Sequence, residues 1–206
     1  MALLIERLQW LVLPMQSVLC VGADASFFHQ DLNVHYPAMD ITQTEGSTPA
    51  AFDMIIAHFT LPYATDLMEQ FWRWRALLKP GGMLFCTHFG PDTLKEWPVS
   101  SQILPNRIDM HELGDLLLHA GFIDPVIEVD YFKTRHRIAE NYLQELKSTH
   151  MLKESAVLAE DVSCQTEWYT TYEIIFSHAF SSDSMNESRS ADKTIVKIPV
   201  NKIGRL

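Results

Sequence analysis

Three residue classes are scarce in this 206-residue chain. Glycine occurs eight times, cysteine three times, and Lys plus Arg (16) fall short of Asp plus Glu (26). The resulting charge of −10 excludes the basic footprint of a non-specific nucleic-acid binder and the polybasic stretch of a membrane-surface anchor. Cys20, Cys86 and Cys164 are odd in number and widely spaced, so they build neither a disulfide framework nor a zinc cluster. Two of them sit in apolar runs and read as buried thiols of a cytoplasmic protein. No apolar run approaches the ~20 residues of a membrane span. The opening stretch MALLIERLQWLVLP is interrupted by Glu6 and Arg7 and is not followed by a small-residue cleavage site. It reads as a short helix packed on a sheet, with Leu4, Leu8 and Leu11 on one face.

What is present is the alternation of an α/β domain. At 206 residues the chain buries a sizeable core without dividing. Ser17–Gly22 is a first strand ending in glycine, the usual position of a ligand cradle in an open sheet. Phe52–Phe59 is an apolar run of the kind buried on both faces. Leu67, Phe71, Trp74 and Leu78 follow at helical spacing, opened by Asp66 with Glu69 and stopped at Lys79-Pro80-Gly81-Gly82. Met83–Phe89 is the next strand. This strand–helix–strand order predicts parallel pairing through a right-handed crossover. A helix is expected from Asp109, with Glu112 three residues on and Gly121 closing it. Strands are expected at Val126–Thr134 and Thr170–Phe180, with a helix over Ile138–Leu152 between them. Lys153–Ser163 stays ambiguous.

Between Gly22 and Phe52 lie about thirty residues, one βαβ unit's worth. A full doubly wound half needs more, so at least one element is missing or reduced there. Asn33–Ile41, broken at Pro37, is the one strand expected in it. Residues 1–180 form the domain, Ser181–Asp192 a polar linker, and Lys193–Leu206 a basic and apolar tail.

Several short motifs then occur in a telling order. They are Leu4-Ile5-Glu6-Arg7-Leu8, Phe52-Asp53, Leu78-Lys79-Pro80-Gly81-Gly82, Phe89-Gly90-Pro91-Asp92-Thr93-Leu94 and Asp109-Met110-His111-Glu112-Leu113-Gly114-Asp115. Ala120-Gly121-Phe122, Glu145-Leu146-Lys147, Tyr172-Glu173 and Ile198-Pro199-Val200 follow. With these the chain resembles the S-adenosylmethionine-dependent methyltransferases, in the branch that methylates the malonyl-carrier protein of biotin synthesis. LKPGG is common to many methyltransferases, whereas FGPDTL with DMHELGD is specific to the branch. The resemblance implies a Rossmann-like class I methyltransferase sheet, mostly parallel with an antiparallel last strand, reduced here in its first half.

The same resemblance implies S-adenosylmethionine as cofactor, with Gly22, Asp24, Asp40 and His58 at its site. The acceptor pocket falls to Tyr63, His88, Phe89, Asp92 and Arg107, with His58 also at its edge and Arg135 and Arg137 as further cations for a carboxylate. No catalytic residue is assigned, because an acceptor carboxylate is already an adequate nucleophile and needs positioning more than a base. Against the family's pattern VLDLGCGTG the chain reads Val18 to Ser26 as VLCVGADAS. Cys20 replaces an aspartate, and Asp24 and Ser26 replace two glycines. Only Asp40 or Glu45 is available for the ribose hydroxyls, and the family's N-terminal covering segment does not precede Met1.

Each residue also has a plainer reading. His58 and His88 end apolar strands and suit structural roles. His111 and Asp115 share a helix face at i and i+4, yet Asp109 as helix cap explains that motif better than a metal site, and none is expected. Trp72 and Trp74 read as core. Three functions follow: methyl transfer to an acyl-carrier protein or a small-molecule carboxylate; a degenerate relative that binds, as scaffold or beside a complete paralogue; and side-chain hydroxylation on the same fold. Carrier docking would draw on Arg73, Arg75, Lys79 and Lys95 as a local basic patch. Nucleic-acid and membrane partners are not expected.

Overall fold

The computed structural model describes residues 2–9, 16–22, 30, 32–36, 40–42, 48–97, 103, 106–148 and 167–182. Asp24, Ser26, Glu45, Cys164 and the tail lie outside the described residues, as does the ambiguous stretch at Lys153–Ser163 and nearly all of the linker. In chain order the elements are α1 (Ala2–Gln9), β1 (Ser17–Gly22), β2 (Asp40–Thr42), β3 (Phe52–His58), a 3-10 turn (Leu61–Tyr63), α2 (Leu67–Leu77) and β4 (Leu78–Phe89). They continue as α3 (Met110–His119), β5 (Phe122–His136), α4 (Ala139–Ser148) and β6 (Trp168–Ser181).

The six strands form one sheet in the order β2-β1-β3-β4-β6-β5. The pairs β1/β2, β1/β3 and β3/β4 are parallel, and β6 runs antiparallel to both β4 and β5. This is the mostly parallel sheet with an antiparallel last strand that the motifs imply. Apolar side chains cover both faces. Leu19, Ile55, Ala57, Leu84 and Cys86 pack beneath α2 and α3 with Phe71, Trp74, Leu113 and Leu117. Val18, Cys20, Met54, Ile56, Met83 and Phe85 pack on the other face with Leu8 of α1 and Leu32. Burial on both faces is why these strands read as continuous apolar runs instead of alternating ones.

The strand expected within Asn33–Ile41 begins instead as helix, described at 30 and 32–35, and is followed by the three-residue β2. Pro37 separates them, since proline disfavours helix at the residue before it. Nine residues, 43–51, then join β2 to β3 across β1, too few for the usual helical crossover of a dozen or more.

Helix starts follow their caps. Asp66 accepts from the backbone N–H of Glu69, and Asp109 accepts from the N–H groups of His111 and Glu112. The Lys-Pro-Gly-Gly segment does not stand as a free turn but enters β4 as an irregularity. Phe52 pairs with Leu78 while Met54 already pairs with Met83, so β4 spends extra residues there and Gly81 takes φ +72°. Trp72 departs from its expected place in the core. It is 56% exposed, whereas Trp74 is buried, because the buried face of α2 runs through positions 71, 74 and 77, with Leu67 and Met68 packed beside them, and position 72 lies off it. Among the described residues no helix is long and apolar enough to cross a membrane, and no cluster of three His, Cys, Asp or Glu could hold a metal ion.

Candidate functional site

Strand β1 has β2 on one side and β3 on the other, so chain direction divides above the carboxyl ends of β1 and β3. Ligands of open α/β sheets bind at such a switch point. A cleft of about 460 Å³ opens there, walled by Val21 and Gly22 of β1, Phe59, Thr60, Tyr63 and Ala64 after β3, and Gln70 and Trp74 of α2. Its size falls within the range of small-ligand pockets.

Two features mark this cleft. Phe59 holds a left-handed backbone (φ 50°), fixed by its N–H donating to the Thr87 carbonyl at 2.9 Å and by its ring stacking on Phe89 at 4.3 Å. A bulky residue in that region is uncommon, and such strain collects at functional sites. The second feature is polar. The indole Nε1–H of Trp74 and the hydroxyl of Thr60 are buried without hydrogen-bond partners. Leaving each unmet costs on the order of 1–3 kcal/mol. Burial also raises the Tyr63 phenol above its ordinary range, so it stays neutral.

Of the residues expected at the site, the cleft gathers Gly22 and Tyr63. Glycine at position 22 has a cause that involves no ligand. Its φ is +148°, and a Cβ there would collide with the backbone carbonyl of His58 on the neighbouring strand. His58 itself turns away, its Nδ1 lying 2.7 Å from the Thr87 hydroxyl. Asp40 stands at the wrong end of the sheet. It pairs in register with Ser17, five residues before Gly22, so about 17 Å of strand separate it from the cleft. Asp24 lies outside the described residues.

The expected acceptor residues are likewise spread out. His88 is fully buried, with its Nε2 3.2 Å from the Ile108 carbonyl oxygen; burial, opposed by that bond, lowers its pKa to about 4 and keeps it neutral. It is a core histidine, not a pocket wall. Phe89 supports the cleft from behind, through Phe59. Arg107 is committed to the chain itself, donating from Nη1 to the carbonyls of Pro91 and Thr93 at 2.8 and 2.9 Å. Asp92 is ion-paired with Lys95 at 3.0 Å. Arg135 and Arg137 both reach Glu167, at 3.8 and 3.4 Å, beside the far ends of β5 and β6. None of these side chains enters the cleft.

The Phe89–Leu94 loop beside the cleft is nonetheless tightly held. The Glu173 carboxylate accepts from the backbone N–H of Asp92 at 2.7 Å and from the Tyr131 hydroxyl at 3.0 Å. The backbone of Glu173 accepts from Gly90 N–H and bonds both ways with the Thr93 hydroxyl. Gly90 is a glycine because a Cβ would strike the Glu173 side chain. Next to this loop Glu145 accepts from Thr134, His136 and Tyr172 at 2.6–2.7 Å within an aromatic cluster of Trp97, Tyr142 and Trp168. Burial opposes ionisation of Glu145, but the three donors outweigh it and lower its pKa.

Gln70 and Trp74 were not anticipated as site residues. Their signal was the i, i+4 spacing at the edge of the apolar stripe of α2, which puts one amide and one indole on the same helix face. The basic patch also dissolves. Lys79 bonds Asp53 at 2.8 Å and the Ser17 hydroxyl at 3.2 Å near the start of β3, and Arg75 donates to Ser182 at the end of β6. Both lie at the amino end of the parallel strands, opposite the cleft and Lys95.

No protein-family profile matches the chain. It is similar to malonyl-[acyl-carrier protein] O-methyltransferase 1 of Coxiella burnetii, 26% identical over 244 aligned positions that take in 98% of this chain and 86% of that protein. Further bacterial proteins of the same description match at 24–29% identity, and the chain spans only 51–63% of their length. Among solved structures it superposes on a provisionally assigned methyltransferase of Bacillus halodurans with a TM-score of 0.59 and 13% identity, covering 87% of this chain and 98% of that one. It also superposes on a phosphoethanolamine N-methyltransferase of Haemonchus contortus in complex with S-adenosylhomocysteine, with a TM-score of 0.53 and 14% identity, covering 87% of this chain and 52% of that one. The fold is that of the S-adenosylmethionine-dependent methyltransferases, and within it the sequence resembles the malonyl-[acyl-carrier protein] O-methyltransferases.

Proposed function

We propose that the protein is an S-adenosylmethionine-dependent methyltransferase acting on a carboxylate carried by an acyl-carrier protein, as the names of its sequence relatives suggest. The observation that carries this reading is the cleft at the switch point, with its strained Phe59. Its described walls suit the sulfonium end of the cofactor. Phe59 and Tyr63 offer aromatic surface to a cation. When bound, the cofactor supplies an electrophilic methyl group. The chain's part is to exclude water and orient the acceptor, with the clasped Phe89–Leu94 loop as the nearer rim. The carrier partner and a cytoplasmic site of action belong to the same proposal.

A second reading is favoured by one specific observation. Asp40 lies far from the cleft, and none of the eight described walls is acidic. Described walls that offer no carboxylate to the ribose hydroxyls suit a relative that binds a partner and transfers no methyl group. Calorimetric titration with S-adenosylmethionine and S-adenosylhomocysteine separates the two. Micromolar affinity supports the enzyme; no heat up to millimolar ligand, with the protein folded, overturns it.

A further inference from the structure

We infer that Asn106 is a positioning residue of the cleft: its amide sets where the wall at Tyr63 and Ala64 stands against the Phe89–Leu94 loop. The inference deepens the proposed function, since its consequence for a ligand rests on that cleft being the binding site. Asn106 lies in the irregular connection before α3, 42 positions from Ala64. Its Nδ2 donates to the Ala64 carbonyl at 2.6 Å and to the Leu61 carbonyl at 3.3 Å. Both neighbours are acceptors, so the NH2 side of the amide must face them.

Those two carbonyls bracket the 3-10 turn, and Tyr63 and Ala64 at its end line the cleft. A turn this short has poor hydrogen-bond geometry and little stability of its own. The buried Leu61 and Pro62 anchor its floor, whereas Tyr63 is 48% exposed. Its internal bonds, from Tyr63 N–H to Thr60 and from Ala64 N–H to Leu61, are both 3.1 Å and close the turn without orienting it on the sheet. The Asn106 amide supplies that orientation from outside.

The next two residues give the strap its anchorage. Arg107 donates from Nη1 to the carbonyls of Pro91 and Thr93 at 2.8 and 2.9 Å. Ile108 is buried in the core, and its carbonyl oxygen lies 3.2 Å from Nε2 of the buried His88. Three consecutive residues thus hold the loop after β3, the loop after β4 and the body of the sheet. The loop after β4 is itself fixed by Glu173, so the wall is tied to something firm. The stack of Phe59 on Phe89 joins the same two loops through side chains.

The test uses the whole chain and two readouts: backbone amide exchange followed in 1H–15N spectra, and calorimetric titration with S-adenosylhomocysteine. Asn106→Ala removes the strap, and Asn106→Asp keeps its shape while taking away the donor. In both, protection of the Tyr63 and Ala64 N–H groups should fall roughly tenfold, while Phe59 and Leu94 stay protected. S-adenosylhomocysteine should then bind roughly five- to tenfold more weakly. Asp53→Asn, which destabilises the opposite end of the strands, is the control and should leave that affinity unchanged. Unaltered protection at Tyr63 and Ala64 overturns the inference. So does a loosened turn with wild-type affinity, since Asn106 would then hold the turn without shaping the site. An equal loss of affinity in Asp53→Asn also overturns it, because general destabilisation would be the cause. A wild type that takes up no S-adenosylhomocysteine defeats the proposed function, and exchange alone then decides. Loosening confined to the turn upholds the inference, and any other pattern overturns it.

Discussion

The described parts of the two halves of the sheet differ in extent. From β3 onward the strands run 7 to 15 residues, are backed by α2 and α3, and are tied by side-chain bonds such as those around Glu173 and Glu145. Before β3 the described structure is one six-residue strand, one three-residue strand, α1 and a helical turn. The cleft lies on the seam between them. Its described walls come mostly from the later half, namely Phe59, Thr60, Tyr63 and Ala64 with Gln70 and Trp74 of α2, while the earlier half contributes Val21 and Gly22. The lesson is that a cleft at a topological switch point can draw its described walls unequally from the two sides of the sheet.

The seam is the place to break this arrangement. The largest effect is expected at Gly22, where alanine must displace the His58 carbonyl and adopt an unfavourable φ. Gly22→Ala should cost about 3 kcal/mol in urea unfolding, and a cost below ~1 kcal/mol would mean that β1 is not locked to β3 as described.

Asp53 comes next. Its carboxylate accepts from the N–H groups of Gln16 and Ser17, from the Ser17 hydroxyl and from Lys79, stitching β1, β3 and β4 together. Partial burial opposes its ionisation, yet these bonds prevail and lower its pKa to about 2. Asp53→Asn should lose about 1–2 kcal/mol. Because the folded pKa is depressed, the carboxylate's contribution is present above its unfolded value near 3.8 and disappears as pH falls toward 2. Acid titration of wild type against Asp53→Asn, followed by circular dichroism, checks this; parallel curves below pH 4 would remove Asp53 from the seam.

The smallest effect sharpens the contrast from within the later half. His88 is held neutral by burial, with a folded value near 4 against an ordinary 6.5. The unfolded chain takes up the proton first, so stability should decline as pH falls from about 6.5 to about 4 and level off below. Replacing His88 with Gln should flatten that slope while leaving stability at pH 8 lower by roughly 1 kcal/mol. An unchanged slope would assign the acid sensitivity to another group.

Much of the fold was legible because its cues are local. Asp66 and Asp109 cap helices wherever they occur, and the Phe52–Phe59 run is a buried strand in any α/β sheet. The site was legible only in part. Tyr63 and Gly22, placed from the ends of β1 and β3, line the candidate cleft, whereas His88 and Asp40 do not reach it. His88 follows the strand's pleat into the core, and Asp40 enters β2 one strand-length too early to reach the cleft. Neither fact is written in nearest neighbours.

By itself the sequence determined the sheet, its helices and its kinship, because caps, apolar runs and short motifs act over a few residues. Tertiary structure alone decided which groups meet. It brought Glu173 under Gly90 and Asp92 across 80-odd positions, spent Arg107 on the backbone of its own loop, and carried Lys79 to the end of the sheet away from the cleft. It also left the Trp74 indole N–H and the Thr60 hydroxyl buried without partners. Strand register and long-range packing set those meetings, and neither has a local code.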